Sequence, residues 1–216
     1  MKKILADFQT LIQKLSNALE QPLPGIEAQM RMLPEGRLPA APASNYIDAA
    51  TLICLYISDD TIFFPVIRRA NHPKDRHRQQ ISFPGGKREK GETLRETALR
   101  EAFEELGIYP DDVIILGRLT SLPIPVSGFI MHPFLAYCKK MPAFHIDPDE
   151  VQSVHLISIN DLISKDTIKV KEWILGNKKR KVPVFQINEL RIWGATAMVL
   201  SEFAAILSKL LIEADE

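Results

Sequence analysis

The chain has 216 residues, of which 46% are apolar and 25% are charged. These proportions are average for a soluble globular protein, and the length suits one domain with a substantial core. The 27 basic side chains balance the 27 acidic ones, which argues against non-specific nucleic-acid binding as the main role. No uninterrupted apolar run approaches the roughly 18 residues of a membrane span. We therefore expect neither a nucleic acid nor a membrane as partner.

The N-terminal residues predict an amphipathic helix. Apolar side chains recur at helical spacing, namely at Leu5, Phe8, Ile12, Leu15 and Leu19. Residues 21–45 contain five prolines and two glycines, which predict an extended, irregular arm. We therefore divide the chain into a helix and arm at 1–45 and a main domain at 46–216. The first helix is a candidate surface for forming a homodimer.

The main domain alternates strand-like and helix-like segments. Apolar runs bounded by turn residues predict strands at 50–57, 61–69, 81–83, 112–119, 131–138 and 151–157. Two more predicted strands flank a basic turn at 176–181, which reads as the solvated tip of a hairpin. A short helix is expected around Asn160–Ser164 and a longer amphipathic one from Gly194 to Ala214. The mixture predicts an α/β sandwich with a long C-terminal helix.

The two cysteines, Cys54 and Cys138, lie inside predicted apolar strands. Such cysteines are more often buried free thiols than members of a disulfide. Free thiols persist in reducing compartments, so the sequence favours a cytoplasmic location.

Residues 86–108, GKREKGETLRETALREAFEELGI, predict a turn followed by a helix. Thr93 suits the N-cap position and Glu96, three residues later, completes a capping box. Gly107 suits the left-handed residue that ends a helix. At 100° per residue, one face holds three glutamates within an arc of about 100° and the opposite side holds an apolar stripe. The glutamates are Glu101, Glu104 and Glu105, and the stripe is Leu99, Ala102, Phe103 and Leu106.

Three carboxylates on one face suit a hard cation such as Mg²⁺, which proteins commonly use to meet substrate phosphates. Arg100 lies four residues before Glu104 and is placed to pair with it. The alternative interpretation is a solvated, charged helix face. Against it stands the mutual repulsion of adjacent carboxylates, which destabilises such a face without a cation.

The spacing of this segment resembles the Nudix box. The matching residues are Gly86, Glu92, Arg100, Glu101, Glu104, Glu105 and Gly107. The resemblance implies an α–β–α sandwich with a mixed sheet and hydrolysis of a nucleoside diphosphate linked to another group. It implies Mg²⁺ or Mn²⁺ held by Glu101, Glu104 and Glu105, with Glu104 or Glu105 taking a catalytic part and Arg100 orienting a glutamate.

Segments around the box narrow the resemblance to the coenzyme A pyrophosphatase branch. They are HRQQISFPGGK (77–87), LPIPVSGFIMHPFLAY (122–137) and IWGATAMVLSEF (192–203). The branch pattern before the box is matched at His77, Gln80, Phe83, Pro84, Gly85 and Gly86, which become candidate substrate-binding residues. Gln79 stands where this branch usually has glycine, and Lys74 stands where leucine is usual.

Basic side chains precede the box. They are Arg68, Arg69, Lys74, Arg76, His77 and Arg78. Coenzyme A carries a 3′-phosphate besides its pyrophosphate, and arginines bind phosphates in bidentate fashion. Arg68 and Arg69 are therefore candidate substrate contacts, the alternative being a solvated loop that balances the acidic helix.

A further carboxylate from downstream of the box is expected at the metal site. Asp147, Asp149 and Glu150 are the candidates, with Glu150 preferred as a ligand or general base. For a coenzyme A substrate the products are 3′,5′-ADP and 4′-phosphopantetheine. Two alternatives stay open: a diphosphatase for ADP-ribose or dinucleotides, and a non-catalytic module that senses a nucleotide.

Overall fold

The computed structural model describes residues 2–39, 41, 43, 45–71, 79–175 and 177–212. The helices in these ranges are α1 (Lys2–Leu19), α2 (Gly25–Met30), α3 (Leu94–Leu106), α4 (Ile159–Ile163) and α5 (Gly194–Ile212). The strands are β1 (Ile47–Ser58), β2 (Thr61–Arg69), β3 (Ile81–Ser82), β4 (Gly85–Lys87), β5 (Val113–Arg118), β6 (Leu122–Ile124), β7 (Phe129–Cys138), β8 (Val151–Ser158), β9 (Ile168–Leu175), β10 (Lys178–Ile187) and β11 (Leu190–Ile192).

The main sheet is mixed, with the path β3-β2-β1-β7-β5. β1 and β7 run parallel, whereas β1 pairs antiparallel with both β2 and β4. β8 extends the sheet beside β2, and β6 pairs with β7. Pro65 lies between the stretch of β2 that pairs with β1 and the stretch that pairs with β3. One edge of β2 is locally unpaired there, which is the setting in which a strand tolerates proline.

Helices cover both faces of this sheet. Side chains of α1, α4 and α5 share one buried apolar cluster with one face of the sheet. Ala98, Ala102 and Leu106 of α3 pack into a second cluster on the other face. β1 is buried along most of its length because it is covered on both faces. The predicted α/β sandwich with a mixed sheet and a long C-terminal helix is confirmed.

The N-terminal segment packs more closely than its proline content suggests. Phe8, Leu11, Ile12 and Leu15 of α1 belong to the same core cluster as α5. The arm expected to be irregular contains α2, whose Ala28 and Gln29 are buried, and the expectation of a wholly irregular arm is therefore wrong. Tertiary packing stabilises this short helix, because contacts with α5 provide what its few residues cannot. The division at residue 45 stays a prediction.

A separate antiparallel sheet has the order β11-β10-β9. The predicted hairpin is present, but residues 178–181 of the expected basic turn belong to strand β10. Lys181 pairs across the ladder with Glu172, and Arg180 pairs with Trp173. Most of the basic segment therefore belongs to a strand and not to the turn, while Lys178, Lys179 and Lys181 are exposed to solvent as predicted.

Helix α5 is long and apolar enough to cross a bilayer by length and composition. Its window Gly194–Leu211 has a mean hydropathy of 1.4, and 61% of that window is buried inside the protein. Ser201, Glu202, Ser208 and Lys209 interrupt this window, so it is not an uninterrupted apolar run. Ser201 donates to Ala28 O of α2 (2.7 Å), and Glu202 accepts from Gln29 Nε2 (2.9 Å), so these two polar side chains have partners within the protein.

Cys54 and Cys138 are buried free thiols, as the sequence predicts. Their sulfur atoms lie 3.2 Å apart between the parallel strands β1 and β7. The two thiols are hydrogen-bonded to each other and lie in the second core cluster, on the α3 side of the sheet.

Candidate active site

Helix α3 begins and ends where the sequence predicts. Thr93 accepts a hydrogen bond from Glu96 N (3.2 Å), and Glu96 accepts one from Thr93 N (2.7 Å), which completes the capping box. Gly107 ends the helix in a left-handed conformation with φ of 69°. Both ends are therefore fixed by local chemistry, which sets the direction in which the glutamates of the helix project.

The Gly85–Gly86 turn brings the backbone close to the helix. A Cβ on Gly85 would lie 2.4 Å from Ala50 O of β1, and Gly85 has φ of 153°. A Cβ on Gly86 would lie 2.5 Å from Glu101 Oε1. Only glycine fits either position without displacement, so this turn and the α3 glutamates are in direct contact.

Three carboxylates converge beside this turn. Ligand oxygens of Glu101, Glu105 and Glu150 all lie within 4.8 Å of one another. Glu150 reaches α3 because its segment is tied on both sides. Asp147 N donates to Glu105 O (3.4 Å), and Glu150 O accepts from Ala70 N (2.8 Å) just after β2. The structure thus brings Glu150, predicted from the downstream segment, to the glutamates of the helix.

Glu105 is the most buried member of the group, with 1% of its side chain exposed. Its Oε2 accepts a hydrogen bond from Gly85 N (2.8 Å), and its Oε1 lies 3.6 Å from Arg69 Nη1. Burial raises the pKa of Glu105 to about 8, although the Gly85 N–H and the Arg69 charge oppose this shift. The helical wheel places this carboxylate on the face opposite the apolar stripe, and the Gly85–Gly86 turn and the Glu150 segment cover it there.

Arg100 holds the neighbouring carboxylates in place. Its guanidinium donates to Glu92 (2.6 Å), to Glu101 (2.9 Å) and to Glu104 (2.8 Å). It also donates to Lys87 O (3.2 Å) at the end of β4. The hydrogen bond from Arg100 lowers the pKa of Glu92 to about 2, while burial raises the pKa of Glu101. The predicted Arg100–Glu104 pair is present as one of several contacts.

Two residues of α3 lie elsewhere than the helical wheel suggests. Glu104 is 52% exposed and lies outside the converging group, although the sequence assigned it a metal-binding and catalytic role. Phe103, expected to dock on the core, is 42% exposed and packs against Tyr109 at a ring distance of 5.1 Å. A wheel gives angles only, and the neighbouring Glu150 segment decides which side of the helix is enclosed.

The predicted substrate residues are dispersed. Arg69 reaches Glu105, and Arg68 Nη1 donates to Gln79 O (3.3 Å). Phe83 is 1% exposed and belongs to the core cluster of α5, which separates its ring from the carboxylates. Gln80 is half-buried between Gln79 and β3. His77 and the neighbouring basic residues Lys74, Arg76 and Arg78 lie outside the described residues.

Gln79 adopts a left-handed conformation with φ of 61°. This conformation disfavours residues with a Cβ and favours glycine, the residue usual here in the branch that the sequence resembles. Hydrogen bonds hold Gln79 in place, since its N–H donates to Arg69 O (3.1 Å) and its carbonyl accepts from Arg68. The departure from the branch pattern therefore leaves the backbone path of the turn intact.

One polar pair across the main sheet was not predicted from the sequence. His132 of β7 and Asp48 of β1 make a hydrogen bond of 2.9 Å. They are 84 residues apart in the chain, and no motif links them. Only the parallel pairing of β1 with β7 brings them together.

The cluster formed by the carboxylates of Glu101, Glu105 and Glu150 fits a divalent cation. Glu105 Oε1 is buried and has no hydrogen-bond partner among the described residues. Glu101 and Glu150 add further oxygen atoms, the ligand type that Mg²⁺ and Mn²⁺ prefer. Three carboxylates this close repel one another, and a cation between them removes that repulsion. The chemistry of this arrangement is therefore the binding of a metal and, through it, of phosphate oxygens.

Residues 47–175 match the NUDIX domain family, and this match covers more than half of the chain. The chain therefore belongs to the Nudix family of hydrolases, which cleave pyrophosphate bonds in small nucleotide-derived molecules. Nudix hydrolases generally need a divalent metal, and the group formed by Glu101, Glu105 and Glu150 is where this chain would hold it.

Several known proteins resemble the chain in sequence. It is 29% identical over 177 residues to "Nudix hydrolase 3" of Caenorhabditis elegans, covering 74% of this chain and 72% of that protein. It is 30% identical over 159 residues to "Peroxisomal coenzyme A diphosphatase ndx-8" of the same organism, covering 70% of this chain and 65% of that protein. It is 29% identical over 167 residues to the Nudix hydrolase NudL of Yersinia enterocolitica, covering 77% of this chain and 84% of that protein.

Solved structures share the fold. The binary complex of the Caenorhabditis elegans Ap4A hydrolase superposes with a TM-score of 0.53 at 18% identity, covering 76% of this chain and 98% of that chain. A MutT/nudix family protein from Enterococcus faecalis superposes with a TM-score of 0.51 at 16% identity, covering 81% of this chain and 66% of that chain. These likenesses establish the architecture alone.

Proposed function

We propose that this chain is a coenzyme A diphosphatase, which hydrolyses coenzyme A or acyl-coenzyme A to 3′,5′-ADP and 4′-phosphopantetheine or its acyl derivative. The observation that carries the proposal is the convergence of Glu101, Glu105 and Glu150 beside Arg69. Similarity to the protein named coenzyme A diphosphatase supports the choice of substrate. The buried thiols support a reducing compartment, and with it a cytoplasmic location, as part of the same proposal.

Each residue has a part that follows from its surroundings. Glu101, Glu105 and Glu150 hold Mg²⁺ or Mn²⁺, and Arg100 fixes Glu101 by a direct hydrogen bond. The bound cation supplies neutralisation of phosphate charge and a lowered pKa for a water molecule. Arg69, 28% exposed beside Glu105, is placed to contact a phosphate oxygen. Water adds to one phosphorus of the pyrophosphate, and the other phosphate leaves.

The substrate is tested by product analysis on the full chain with Mg²⁺ or Mn²⁺. The panel contains coenzyme A, acetyl-coenzyme A, ADP-ribose, NADH and diadenosine polyphosphates. Dephospho-coenzyme A is the matched control, because it differs from coenzyme A only by the 3′-phosphate. We expect 3′,5′-ADP from coenzyme A and a lower kcat/KM for dephospho-coenzyme A. Turnover of ADP-ribose or a dinucleotide with none of coenzyme A would assign the other diphosphatase function.

Glu105→Gln should abolish most metal-dependent hydrolysis while coenzyme A still binds, since the substitution removes a charge and little volume. We expect kcat to fall by about two orders of magnitude or more. Glu104→Gln is the matched comparison and should lose less, because Glu104 is exposed and outside the converging group. Near-normal turnover by Glu105→Gln would contradict the assigned site.

A further inference from the structure

Four side chains form a continuous line of polar contacts from the start of β6 to the start of the box. Ser121 Oγ lies 2.8 Å from His132 Nδ1, and His132 Nε2 lies 2.9 Å from Asp48 Oδ1. The other carboxylate oxygen of Asp48 lies 3.0 Å from Arg88 Nη2. His132 is 12% exposed and Asp48 is 32% exposed, so the pair is partly shielded from water.

The partners determine the orientation of the imidazole. The Asp48 carboxylate accepts hydrogen bonds only, so His132 Nε2 carries the hydrogen and donates it. In the neutral ring Nδ1 then accepts, and the Ser121 hydroxyl donates to it. Both ring nitrogens are thereby satisfied in one arrangement, which fixes Asp48 on the side that faces Arg88.

Asp48 contacts Arg88 twice. Besides the ion pair, Arg88 N donates to Asp48 O at 2.9 Å. These contacts extend a strand that is otherwise short, because β4 pairs with β1 through three residues, the range 85–87. The side chain of Asp48 therefore fastens the free end of β4, where a strand of this length would fray.

β4 in turn contacts Glu101, one of the three clustered carboxylates, and Arg100, which binds it. Lys87 O accepts from Arg100 Nη2 (3.2 Å), and Arg100 Nη1 donates to Glu101 Oε1 (2.9 Å). Gly86 lies directly against the Glu101 carboxylate. A displacement of β4 would therefore move Gly86, which lies against Glu101, and Lys87 O, which holds Arg100.

We propose that Asp48 and His132 are positioning residues for the metal site. They fix Arg88 and the end of β4, and β4 keeps Arg100 and Glu101 in the arrangement that binds a cation. This role rests on the proposed binding of the cation by Glu101. It requires no contact of Asp48 or His132 with the substrate.

The test is the affinity of the substrate-free full chain for Mn²⁺, measured by electron paramagnetic resonance. Asp48→Ala, Arg88→Gln and His132→Asn should each raise the Kd by up to about tenfold. Losing a direct partner of a metal ligand costs at least about tenfold, and these residues act one contact further out, through β4. His132→Gln should retain most of the affinity, because the longer glutamine side chain places its amide nitrogen near the position of Nε2 and can still donate to Asp48, whereas asparagine is too short. The double variant Asp48→Ala/Arg88→Gln should match the weaker single variant, since both act through one contact.

Glu172→Gln is the matched control. It removes an exposed carboxylate paired with Lys179 (3.7 Å) on the other sheet, and should leave the Mn²⁺ affinity unchanged. Thermal unfolding of every variant separates positioning from folding. An unchanged Kd with a lower Tm in Arg88→Gln and in Asp48→Ala would show that these residues act on folding alone. That result would overturn the proposal. Absence of Mn²⁺ binding by the wild type would instead overturn the cation role of Glu101, and with it the proposed function.

Discussion

Gly85 and Gly86 are neighbours with different physical constraints. The space beside Gly85 is filled largely by backbone of β1, whereas the space beside Gly86 is filled by the carboxylate end of the Glu101 side chain. A backbone cannot give way cheaply, but a carboxylate can rotate. The two glycines therefore separate the stability of the fold from the integrity of the metal site.

We expect Gly86→Ala to fold with nearly unchanged stability and to bind Mn²⁺ at least about tenfold more weakly, because Glu101 must swing away. Gly85→Ala should instead lower the free energy of unfolding by about 2 kcal/mol or more, since its Cβ meets Ala50 O and its φ is 153°. Urea unfolding and Mn²⁺ titration of both variants check this. The reverse pattern would show that the turn is placed differently.

The raised pKa of Glu105 predicts that the stability of the metal-free protein depends on pH. Burial raises the pKa of Glu105 in the folded state to about 8 from the ordinary 4.5. Below pH 4.5 the group is protonated in both states, and between pH 4.5 and about 8 only the unfolded chain releases the proton. Its contribution therefore lowers stability progressively across that window, and the loss is complete above pH 8.

Glu105→Gln, which does not titrate, should accordingly be more stable than the wild type at pH 8.5, by roughly 2–4 kcal/mol, with the difference vanishing near pH 4.5. Chelator-treated protein and urea unfolding provide the measurement. Cation binding requires the carboxylate, so the Mn²⁺ affinity of the wild type should rise from pH 6 to pH 8. An affinity independent of pH would show that Glu105 is already ionised.

At the scale of the element, α3 combines a helix fixed by local signals with a glutamate face that is enclosed from outside. Its capping box and its terminal glycine are within the sequence of the helix itself. Its enclosure comes from the segment ending at Glu150, which is hydrogen-bonded to the last turn and to the end of β2. The start of α3 and the metal site should therefore respond separately to substitution.

Thr93→Ala should lower the free energy of unfolding by about 1 kcal/mol, because Glu96 N loses its hydrogen-bond acceptor. Thr93→Ser keeps the hydroxyl and is the matched control. The Mn²⁺ affinity should change little, since Glu101 and Glu105 lie in later turns of the helix. Chemical unfolding and Mn²⁺ titration of both variants test this, and a large loss of affinity in Thr93→Ala would show that the helix end and the site are coupled.

At the scale of the whole molecule, α1 is part of the folded core. Leu15 is fully buried in the cluster that also contains α5. Leu15→Ala should therefore lower the free energy of unfolding by about 2–5 kcal/mol, with one cooperative transition. Gln9→Ala, at an exposed position of the same helix, should have little effect. A small effect of Leu15→Ala would support a separate N-terminal unit divided from the rest at residue 45.

How far the sequence predicts the site depends on the range of the interactions. The capping box, the left-handed Gly107 and the Arg100–Glu104 pair are local, and the structure has all three. The exposure of Glu104 and the burial of Phe83 depend on distant segments that cover or uncover them. Helical spacing alone contains no information on those segments.

Gln79 illustrates the same limit. The sequence identified it as a departure from the branch pattern, but its meaning depends on the backbone angle. The structure gives it a φ of 61°, so the position needs a left-handed residue, and glutamine occupies it with hydrogen bonds to Arg68 and Arg69. The glutamine at this position is therefore explained first by the backbone conformation of the turn, and not by a contact with substrate.

The sequence by itself determined the family, the helix that carries the clustered glutamates and the positions of most strands along the chain, because these depend on short spacings and on residue chemistry. Tertiary structure alone decided which carboxylates meet, since Glu150 joins Glu101 and Glu105 only after β2, β8 and α3 have packed. It also decided that His132 meets Asp48, because the pairing of β1 with β7 joins residues 84 positions apart. Contacts between distant segments depend on the packing of the whole chain, and no local pattern records them.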